Sequence, residues 1–311
     1  MKVGIIGTGF VGSTAAYAMA LEGTAQEIVL VDLDEKMARA QAEDILHATP
    51  HAHPIRIFAG DYRSLSGASA VILACGVNQQ EGETRMELLE RNAEVFKEVI
   101  PHIVAAAPEA ILVAASNPVD VITHLCAKIS GLPQERVIGS GTILDTARFR
   151  SLLGQHLGVS PHSVHGYVLG EHGDSEVLAW SSTHIGSVGL VDFSKQIGRE
   201  ISADIRKNID DAVRHAAGRI IAGKGATYFG IGAGLSRIIR AIGDDEGAVI
   251  TVSGVSSREE KEASVSFSVP RIIGVNGIRA ELSPSLSDSE RQALEESIAV
   301  IRAAVDRLGY L

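Results

Sequence analysis

Three glycines with the spacing Gly7-x-Gly9-x-x-Gly12 stand between an apolar run and a stretch rich in helix-forming residues. The run KVGIIG predicts a buried strand, and STAAYAMALEG after it predicts a helix. In such a strand–turn–helix unit, the first glycine permits a tight turn, the second lets the backbone approach a pyrophosphate, and the third lets helix and strand pack closely. The chain is therefore expected to fold around a βαβ unit that binds a dinucleotide.

An acidic residue closes the second predicted strand. The run EIVLVD (27–32) ends in Asp32, twenty residues after Gly12. A carboxylate at this place can accept hydrogen bonds from both hydroxyl groups of an adenosine ribose, and it repels a 2′-phosphate. Because Leu33 and Asp34, and no arginine, follow it, the sequence favours NAD over NADP as the cofactor.

Short aliphatic runs alternate with predicted helices in the first half of the chain. The runs contain few polar residues, which suits strands buried on both faces of a parallel sheet. They are KVGIIG (2–7), EIVLVD (27–32), SAVILAC (69–75) and AILVAAS (110–116). Helices are predicted between them, at residues 34–47 and 84–107 among others. This alternation predicts a doubly wound parallel sheet, the NAD-binding Rossmann domain, over residues 1–140.

The pattern changes beyond about residue 140. A predicted helix (143–158) and a charged helical stretch (195–242) precede two segments, AVITVSGV and SVSFSVPRIIG, whose alternation is typical of half-exposed antiparallel strands. A final apolar stripe from Leu294 to Leu308 has helical spacing and predicts a packing helix. We therefore expect an α/β protein in which residues 141–311 form an α+β catalytic domain with antiparallel strands.

The charge balance argues against two classes of partner. The 311 residues carry 28 Lys and Arg against 38 Asp and Glu, a formal net charge of −10. Nucleic acids and anionic membranes bind basic surfaces, so we expect neither as a partner.

Two cysteines, Cys75 and Cys126, are too few for a disulfide framework, which fits a reducing cytoplasm. No apolar run reaches the roughly 18 residues of a membrane span, and the glycine-interrupted first segment does not resemble a secretory signal.

A polar segment between glycines, GVNQQEGETRMELLERN (76–92), runs into the helix predicted at 84–107. Gly76 and Gly82 could act as hinges of a lid that carries Arg85 over a site. Considered alone, Arg85 could equally be a solvated or ion-paired side chain.

Three side chains further along suit acid–base chemistry on an anionic substrate. Asp145 and Arg148 share one face of a helix in GTILDTARFR, where a simple intrahelical ion pair is the alternative. His172 lies between two glycines in LGEHGDSE, and a histidine with an orienting carboxylate is the usual proton carrier near neutral pH. It is one of eleven histidines, and the sequence alone does not show whether Asp145 reaches it.

A second group of histidines, His47, His51 and His53, has a spacing that could suggest a metal site. Pro50 interrupts the group, and no carboxylate or cysteine stands at ligand spacing beside it. We therefore expect no metal.

Seven segments in this chain occur in the order known from one enzyme family. They are GTGFVG, VDLD, NQQEGETR, SNPVDV, GSGTILDTARFR, GEHGDSE and KGATYFGIG. On these segments, which run nearly end to end, the chain resembles the bacterial type of the L-lactate dehydrogenase family, within the lactate/malate dehydrogenase superfamily. The resemblance implies reversible hydride transfer between NADH and pyruvate, giving (S)-lactate and NAD+, by a cytoplasmic homotetramer that serves glycolysis and pyruvate fermentation.

The resemblance assigns the catalytic roles to four residues. His172 would donate a proton to the pyruvate carbonyl and accept it in the reverse reaction, while Asp145 would fix its tautomer and stabilise the imidazolium. Arg148 would hold the substrate carboxylate with a two-pronged contact. Arg85 would arrive with the closing loop and polarise the carbonyl as negative charge develops on its oxygen.

The resemblance also assigns the surroundings of the substrate and cofactor. Asn117 would lie beside the nicotinamide and the carbonyl, and Thr227 near the substrate methyl group. Ile231 would face the nicotinamide ring and exclude water. The residues expected to contact the cofactor are Gly7, Gly9, Phe10, Val11, Gly12, Asp32, Gly76, Asn117 and Ile231.

The residue that separates lactate from malate enzymes in this family lies six positions before the loop arginine, and here it is Gln79. Malate enzymes carry an arginine there. The second carboxylate of oxaloacetate would be buried beside a neutral amide, which costs several kcal/mol. The neighbouring Gln80 makes an error of register harmless, so the resemblance favours pyruvate over oxaloacetate.

Arg150 and His165 fall where bacterial members of the family bind fructose 1,6-bisphosphate across a subunit interface. With their symmetry mates they would form a cationic pocket for two phosphates. The alternative is that both are ordinary surface residues.

Three other functions would use part of the same sequence. A malate dehydrogenase would share the whole constellation except Gln79. A non-catalytic NAD-binding module would explain the glycines and Asp32, but it would leave Arg85, Arg148 and His172 without a use. An NAD-dependent glycoside hydrolase would need a metal constellation, and the sequence contains none that we recognise.

Overall fold

The computed structural model describes residues 1–77, 82, 85–256 and 264–311. Gln79 and Gln80 lie outside the described residues, and so does the side chain of Arg85. The described strands are β1 (Lys2–Ile6), β2 (Glu27–Val31), β3 (Arg56–Ala59), β4 (Ala70–Leu73), β5 (Ile111–Ala114), β6 (Val137–Gly139), β7 (Val164–His165), β8 (Val168–Leu169), β9 (Val177–Leu178), β10 (His184–Ile185), β11 (Val188–Gly189), β12 (Ala248–Val255), β13 (Ser266–Gly274) and β14 (Gly277–Glu281).

Helices connect and cover these strands. They are α1 (Phe10–Glu22), α2 (Glu35–Ala48), α3 (Arg85–Ala106), α4 (Val119–Ser130), α5 (Ile143–Leu157), α6 (Leu190–Gln196), α7 (Ala203–Arg214), α8 (Ala216–Lys224), α9 (Phe229–Gly243) and α10 (Asp288–Arg307). None of them, within the described ranges, has both the length and the apolar character that crossing a membrane requires.

Six parallel strands form the centre of the protein in the order β3-β2-β1-β4-β5-β6. Strands β4 and β5 are buried at every residue, as expected when helices cover both faces of a parallel sheet. The strand order reverses between β1 and β4, and the crevice at the carboxyl ends of such strands is where doubly wound proteins bind ligands. The α/β fold class predicted from the sequence is confirmed.

The antiparallel strands predicted for the second half are present, and they extend the same sheet. β12 joins the edge strand β6 through the pair Ser253–Gly139, and β13 and β14 follow outward, so the sheet has nine strands. The approach is close, because a Cβ atom on Gly139 would lie 2.8 Å from Cβ of Ser253 and 2.0 Å from Oγ1 of Thr123. Two small antiparallel sheets, β11-β10-β7 and β8-β9, lie outside it.

The sheet separates two aliphatic cores. On one face, small residues of α1 and aliphatic residues of α9 pack on β1 and β2. A Cβ atom on Gly232 of α9 would lie 2.6 Å from Thr14 of α1, so glycine allows the two helices to approach closely. The other face is covered by α3, α4 and α10. A third cluster, around Phe149 and Trp180, lies between α5 and α7.

The stretch predicted as helical over 195–242 is interrupted. Gly198 and Gly225 have φ values of +68° and +82°, a region that favours glycine, and they follow α6 and α8. A third break, at His215, separates α7 from α8, so four helices occupy this part of the chain. Helix α4, in contrast, had no clear signal in the sequence. Its buried face carries Asp120, Thr123 and His124, and these polar residues break the apolar periodicity.

A buried arginine anchors the antiparallel part of the sheet. Arg271 of β13 is 1% exposed. Its guanidinium donates hydrogen bonds to the carbonyl oxygens of Val252, Gly254 (2.9 Å) and Phe267 (2.8 Å). It also pairs with Glu281 at 2.8 Å. One side chain therefore satisfies polar groups on three neighbouring strands.

We expect the substitution Arg271→Met to lower the free energy of unfolding by about 3–5 kcal/mol, because it leaves the Glu281 carboxylate and several carbonyls without this donor. The matched control is Arg39→Met, which breaks an exposed ion pair with Glu35 and should cost less than about 0.5 kcal/mol. Urea unfolding of both variants measures the difference. Equal midpoints for the two would contradict this account of Arg271.

Candidate active site

The three glycines of the first turn meet different spatial demands. Gly7 has a φ of +92°, and a Cβ atom there would lie 2.6 Å from the backbone nitrogen of Cys75. On Gly12 a Cβ atom would lie 1.9 Å from the carbonyl oxygen of Gly7, so helix and strand pack without room for a side chain. Gly9, which precedes the first residue of α1, would meet nothing within 4 Å. The space beside Gly9 is open, and it suits a pyrophosphate at the helix N-terminus.

Asp32 lies at the carboxyl end of β2 and is fixed by the glycine turn. Its Oδ2 atom accepts hydrogen bonds from the backbone nitrogen (2.6 Å) and the hydroxyl group (2.9 Å) of Thr8. Its Oδ1 atom accepts one from the backbone nitrogen of Asp34 (3.0 Å). The carboxylate is held in place beside the turn, which fits it for the hydroxyl groups of a ribose. Thr8 was not singled out in the sequence, although it lies inside the glycine pattern.

Two other predicted cofactor contacts also lie at strand ends. Gly76 follows β4 and Asn117 follows β5, and both are exposed at the edge of the sheet where β1 and β2 end. The backbone nitrogen of the next residue, Val77, donates to Oδ1 of Asn92 on α3 at 2.9 Å. The structure thus brings these residues to one edge of the sheet.

The remaining cofactor candidates lie on α1 and α9. Phe10 is 66% exposed, and its ring stacks on Tyr228 with 5.1 Å between centroids. Val11 and Ile231 are half-buried and pack against the core beneath α1 and α9. Thr227, the candidate for the substrate methyl group, is half-buried directly before α9. These two helices therefore form one wall of the crevice.

A buried carboxylate joins the two residues predicted for proton transfer and substrate binding. Oδ2 of Asp145 lies 2.5 Å from Nδ1 of His172, and its Oδ1 accepts a hydrogen bond from Nη1 of Arg148 at 2.7 Å. Asp145 is 1% exposed, in the first turn of α5, while His172 comes from the loop between β8 and β9. The intrahelical ion pair, which was the alternative reading of Asp145 and Arg148, is present together with the contact to His172.

This arrangement sets the charges of the pair. Burial lowers the pKa of His172, but the Asp145 charge and hydrogen bond outweigh it and raise the pKa to about 9. Burial raises the pKa of Asp145, but His172 and Arg148 together hold it below its usual value. At neutral pH the imidazole is therefore protonated. Because Nδ1 faces the carboxylate, Nε2 is the nitrogen that can exchange a proton with a substrate.

A second buried carboxyl group holds the backbone of the histidine. Oδ2 of Asp120, in the first turn of α4, accepts a hydrogen bond from the backbone nitrogen of His172 at 2.7 Å. The hydroxyl group of Ser268 on β13 donates to its other oxygen at 3.3 Å. Burial raises the pKa of Asp120 to about 6. Sequence reasoning quoted Asp120 within SNPVDV but assigned it no role.

A third carboxyl group, Glu176, was also overlooked. It is 4% exposed, and one of its oxygens lies within 4.8 Å of potential metal-ligating atoms of both Asp145 and His172. Among the residues the structure describes, this is the one trio of His, Cys, Asp or Glu side chains that lie so close together. In the sequence, the feature that could have pointed to Glu176 is its position four residues after His172 in GEHGDSE.

The candidate regulatory residues lie on neighbouring segments. Nε of Arg150 donates to the carbonyl oxygen of Gly166 at 2.9 Å, and its guanidinium lies 4.9 Å from the ring centre of Tyr167. His165 is exposed on β7, directly before Gly166, and its partner across the strands is the exposed His184 of β10. Sequence reasoning did not include His184.

Comparison with known proteins agrees with this geometry. The family models match residues 1–139 as the lactate/malate dehydrogenase NAD-binding domain, and residues 142–308 as the lactate/malate dehydrogenase alpha/beta C-terminal domain. An L-lactate dehydrogenase of Thermus aquaticus is 58% identical over 100% of both chains. An L-lactate dehydrogenase of Allorhizobium ampelinum is 56% identical over 97% of each chain.

Solved structures give the same relation. A lactate dehydrogenase from a Medee basin deep-sea metagenome library superposes with a TM-score of 0.96 at 40% identity, over 99% of this chain and 98% of that one. The minor L-lactate dehydrogenase of Enterococcus mundtii, in a ligand-bound form, has a TM-score of 0.94 at 40% identity over 98% of each chain.

The two family models together cover almost the whole chain, which therefore belongs to the lactate/malate dehydrogenase family, a family of oxidoreductases. Within that family it is an NAD-dependent enzyme of the L-lactate dehydrogenase kind. NAD is the cofactor, as the sequence predicted.

We expect Asp32→Asn to reduce the preference for NADH over NADPH by about tenfold or more, because the charge that repels a 2′-phosphate is removed while an oxygen remains for Thr8. The measurement is the dissociation constant of each cofactor, from the quenching of protein fluorescence. Asp34→Asn is the control, since asparagine caps the start of α2 as well as aspartate does. An unchanged preference in Asp32→Asn would contradict the role of this carboxylate.

Proposed function

We propose that the protein reduces pyruvate to (S)-lactate and oxidises lactate in reverse, with His172 as the proton donor and acceptor. The observation that carries the proposal is the His172–Asp145–Arg148 constellation, in which one buried carboxylate contacts both cations. The L-lactate dehydrogenases among its relatives support this choice of substrate. In cells the reaction would regenerate NAD+ during glycolysis and pyruvate fermentation.

The residues of this chain divide the work of the reaction. When bound, NADH supplies the hydride that becomes the hydrogen on C2 of lactate. Nε2 of His172 gives its proton to the carbonyl oxygen, and Asp145 stabilises the imidazolium beforehand and orients the ring. One of the five N–H groups of Arg148 is used by Asp145, which leaves donors on the planar guanidinium for the substrate carboxylate. Holding the anion beside His172 makes the proton transfer effectively intramolecular.

The remaining roles rest on the family pattern. Arg85 is the first residue of α3 and lies within the polar segment 76–92, which suits the predicted lid that brings a second cation to the carbonyl oxygen. Asn117 at the end of β5 and Thr227 before α9 would contact the carbonyl and the methyl group. Gln79 would leave a second substrate carboxylate without a partner, so pyruvate is preferred over oxaloacetate.

We expect NADH oxidation with pyruvate to be much faster than with oxaloacetate when both are measured in one assay. His172→Asn should abolish turnover and leave NADH binding intact, because the asparagine amide can still donate a hydrogen bond to Asp145 but carries no proton that it could transfer. Faster turnover of oxaloacetate would favour a malate dehydrogenase. A wild-type protein that binds NADH and reduces neither acid would favour a non-catalytic NAD-binding module.

We also propose that the enzyme assembles as a homotetramer and is activated by fructose 1,6-bisphosphate at Arg150 and His165. Nε of Arg150 donates a hydrogen bond to the carbonyl oxygen of Gly166, the residue after His165, so both side chains belong to one part of the surface. Several large apolar side chains on α1, α2 and α9 are exposed, which suits self-association. They are Tyr17, Leu21, Met37, Leu46 and Phe229.

If the bisphosphate binds there, it should lower the pyruvate concentration for half-saturation or increase the fraction of tetramer seen in sedimentation. The double substitution Arg150→Gln with His165→Asn should remove both effects, because neutral amides replace the two side chains proposed to bind the phosphates. The control is the double substitution Arg199→Gln with His162→Asn. A wild-type enzyme in which neither quantity changes would rule out activation.

Two further expectations remain proposals. Residues 1–140 would act as the NAD-binding domain and residues 141–311 as the catalytic domain. We also propose a cytoplasmic location, because the chain has only two cysteines, Cys75 and Cys126, and both are free, which fits a reducing compartment.

A further inference from the structure

Glu176 is a buried carboxyl group for which the reaction described above has no use. It lies in the loop between β8 and β9, and its backbone nitrogen donates to the carbonyl oxygen of Gly173 at 3.1 Å. The side chain is 4% exposed, and its Oε1 has no hydrogen-bond partner in the part of the chain that the structure describes. A buried carboxylate without a partner is costly, so its presence needs a reason.

The charged groups around Glu176 come from its own loop and from three helices. Asp145, Arg148 and His172 form the site itself, and Arg214 of α7 approaches from the other side. Glu176 also lines an open cavity of about 850 Å³, to which α10 contributes Glu290 and Glu296. Glu176 can therefore exchange protons with solvent through this cavity, without passing through the substrate crevice.

Burial favours the neutral acid at pH 7. His172 and Arg148 both contact Asp145, and Oε1 of Glu176 has no hydrogen-bond partner among the described residues, so an ionised Glu176 would be poorly stabilised in its buried place. Burial and the repulsion from Asp145 raise the pKa of Glu176 to about 8, although Arg214, His172 and Arg148 oppose the rise.

We propose that Glu176 is a positioning residue for the proposed hydride-transfer reaction, on which this inference rests. Its buried carboxyl group keeps its proton at neutral pH. In alkaline solution it loses this proton and places a second negative charge beside His172, which holds the imidazole in its protonated form. The geometry that supports this is the trio of His172, Asp145 and Glu176, whose polar atoms lie within 4.8 Å of one another.

The direction of the effect follows from the sign of the charge. A negative group close to an imidazole favours the imidazolium, so ionised Glu176 raises the pKa of His172. The charge of Glu176 develops near pH 8 and acts on His172 across the short distances within the trio. At neutral pH the acid is uncharged and does not repel an anionic substrate.

The test measures the titration of His172 directly in the full-length protein. With ¹³C-labelled histidine and the His172→Asn variant to assign the signal, the wild-type midpoint should lie near pH 9. In Glu176→Gln it should fall by about one pH unit. The alkaline limb of kcat/KM for pyruvate should fall by the same amount, because only the protonated imidazole reduces pyruvate.

Asp210→Asn is the matched control. Asp210 lines the same cavity and accepts a hydrogen bond from the Trp180 ring at 3.2 Å, but it is not part of the trio around His172. Its removal should leave the His172 midpoint unchanged. An equal shift in both variants, or no shift in Glu176→Gln, would overturn the proposal.

A second measurement needs no variant that must fold. In wild-type protein with ¹³C-labelled glutamate, the Glu176 carboxyl signal should titrate near pH 8, and a midpoint near the ordinary value for glutamate would refute the proposal. Neither titration requires turnover. A protein that fails to reduce pyruvate would therefore contradict the proposed function alone, while the titrations still decide the role of Glu176.

Discussion

The structure of the site depends on one buried negative charge. Asp145 is 1% exposed, and a carboxylate removed from water in this way is stable only if charged or hydrogen-bonded partners replace the water. His172 and Arg148 are those partners, one on each oxygen. The contacts of Asp145 therefore hold α5 in place, orient the imidazole of His172 and keep it protonated at neutral pH. The stability of the site and its proposed chemistry both require these two cations, so a substitution of either one should affect both.

The late antiparallel strands explain how the histidine is positioned. Ser268 of β13 exchanges backbone hydrogen bonds with Gly170, two residues before His172, at 2.8 and 3.0 Å. Its hydroxyl group accepts from the backbone nitrogen of Thr142 at the start of α5 and donates to Asp120 of α4. One serine thus connects the histidine loop, the helix of Asp145 and the carboxyl group that holds the histidine backbone. Strands far away along the chain therefore hold His172 in its position.

The features predicted from sequence were those whose cause is local. Gly7 and Gly12 are required by a positive φ and a close backbone contact within one turn, and Asp32 follows directly from the end of a strand. His172 and Asp145 could be chosen by residue type and by the resemblance. Their contact could not be derived, because they are 27 positions apart and meet only through the fold.

Two acidic residues of the site, Asp120 and Glu176, can be recognised only from their burial in the structure. Asp120 and Glu176 are two among 38 acidic residues, and nothing in their local pattern distinguishes them until their removal from water is known. For the same reason α4 escaped prediction, since its buried face is partly polar. Gln79, the residue proposed to select pyruvate, illustrates the opposite case. Its identity is visible in the sequence and carries the argument about the substrate, whereas its surroundings are not part of the described structure.

The continuity of the sheet limits how this protein can move. Because β6 and β12 meet through Ser253 and Gly139, with no space for even a methyl group on the glycine, the two halves share an uninterrupted hydrogen-bonded layer. A hinge between them would have to break this layer and expose its unpaired backbone groups. The nucleotide crevice and the His172 site are therefore joined by one shared sheet. Any closure over a substrate is left to helices and loops that stand outside the layer.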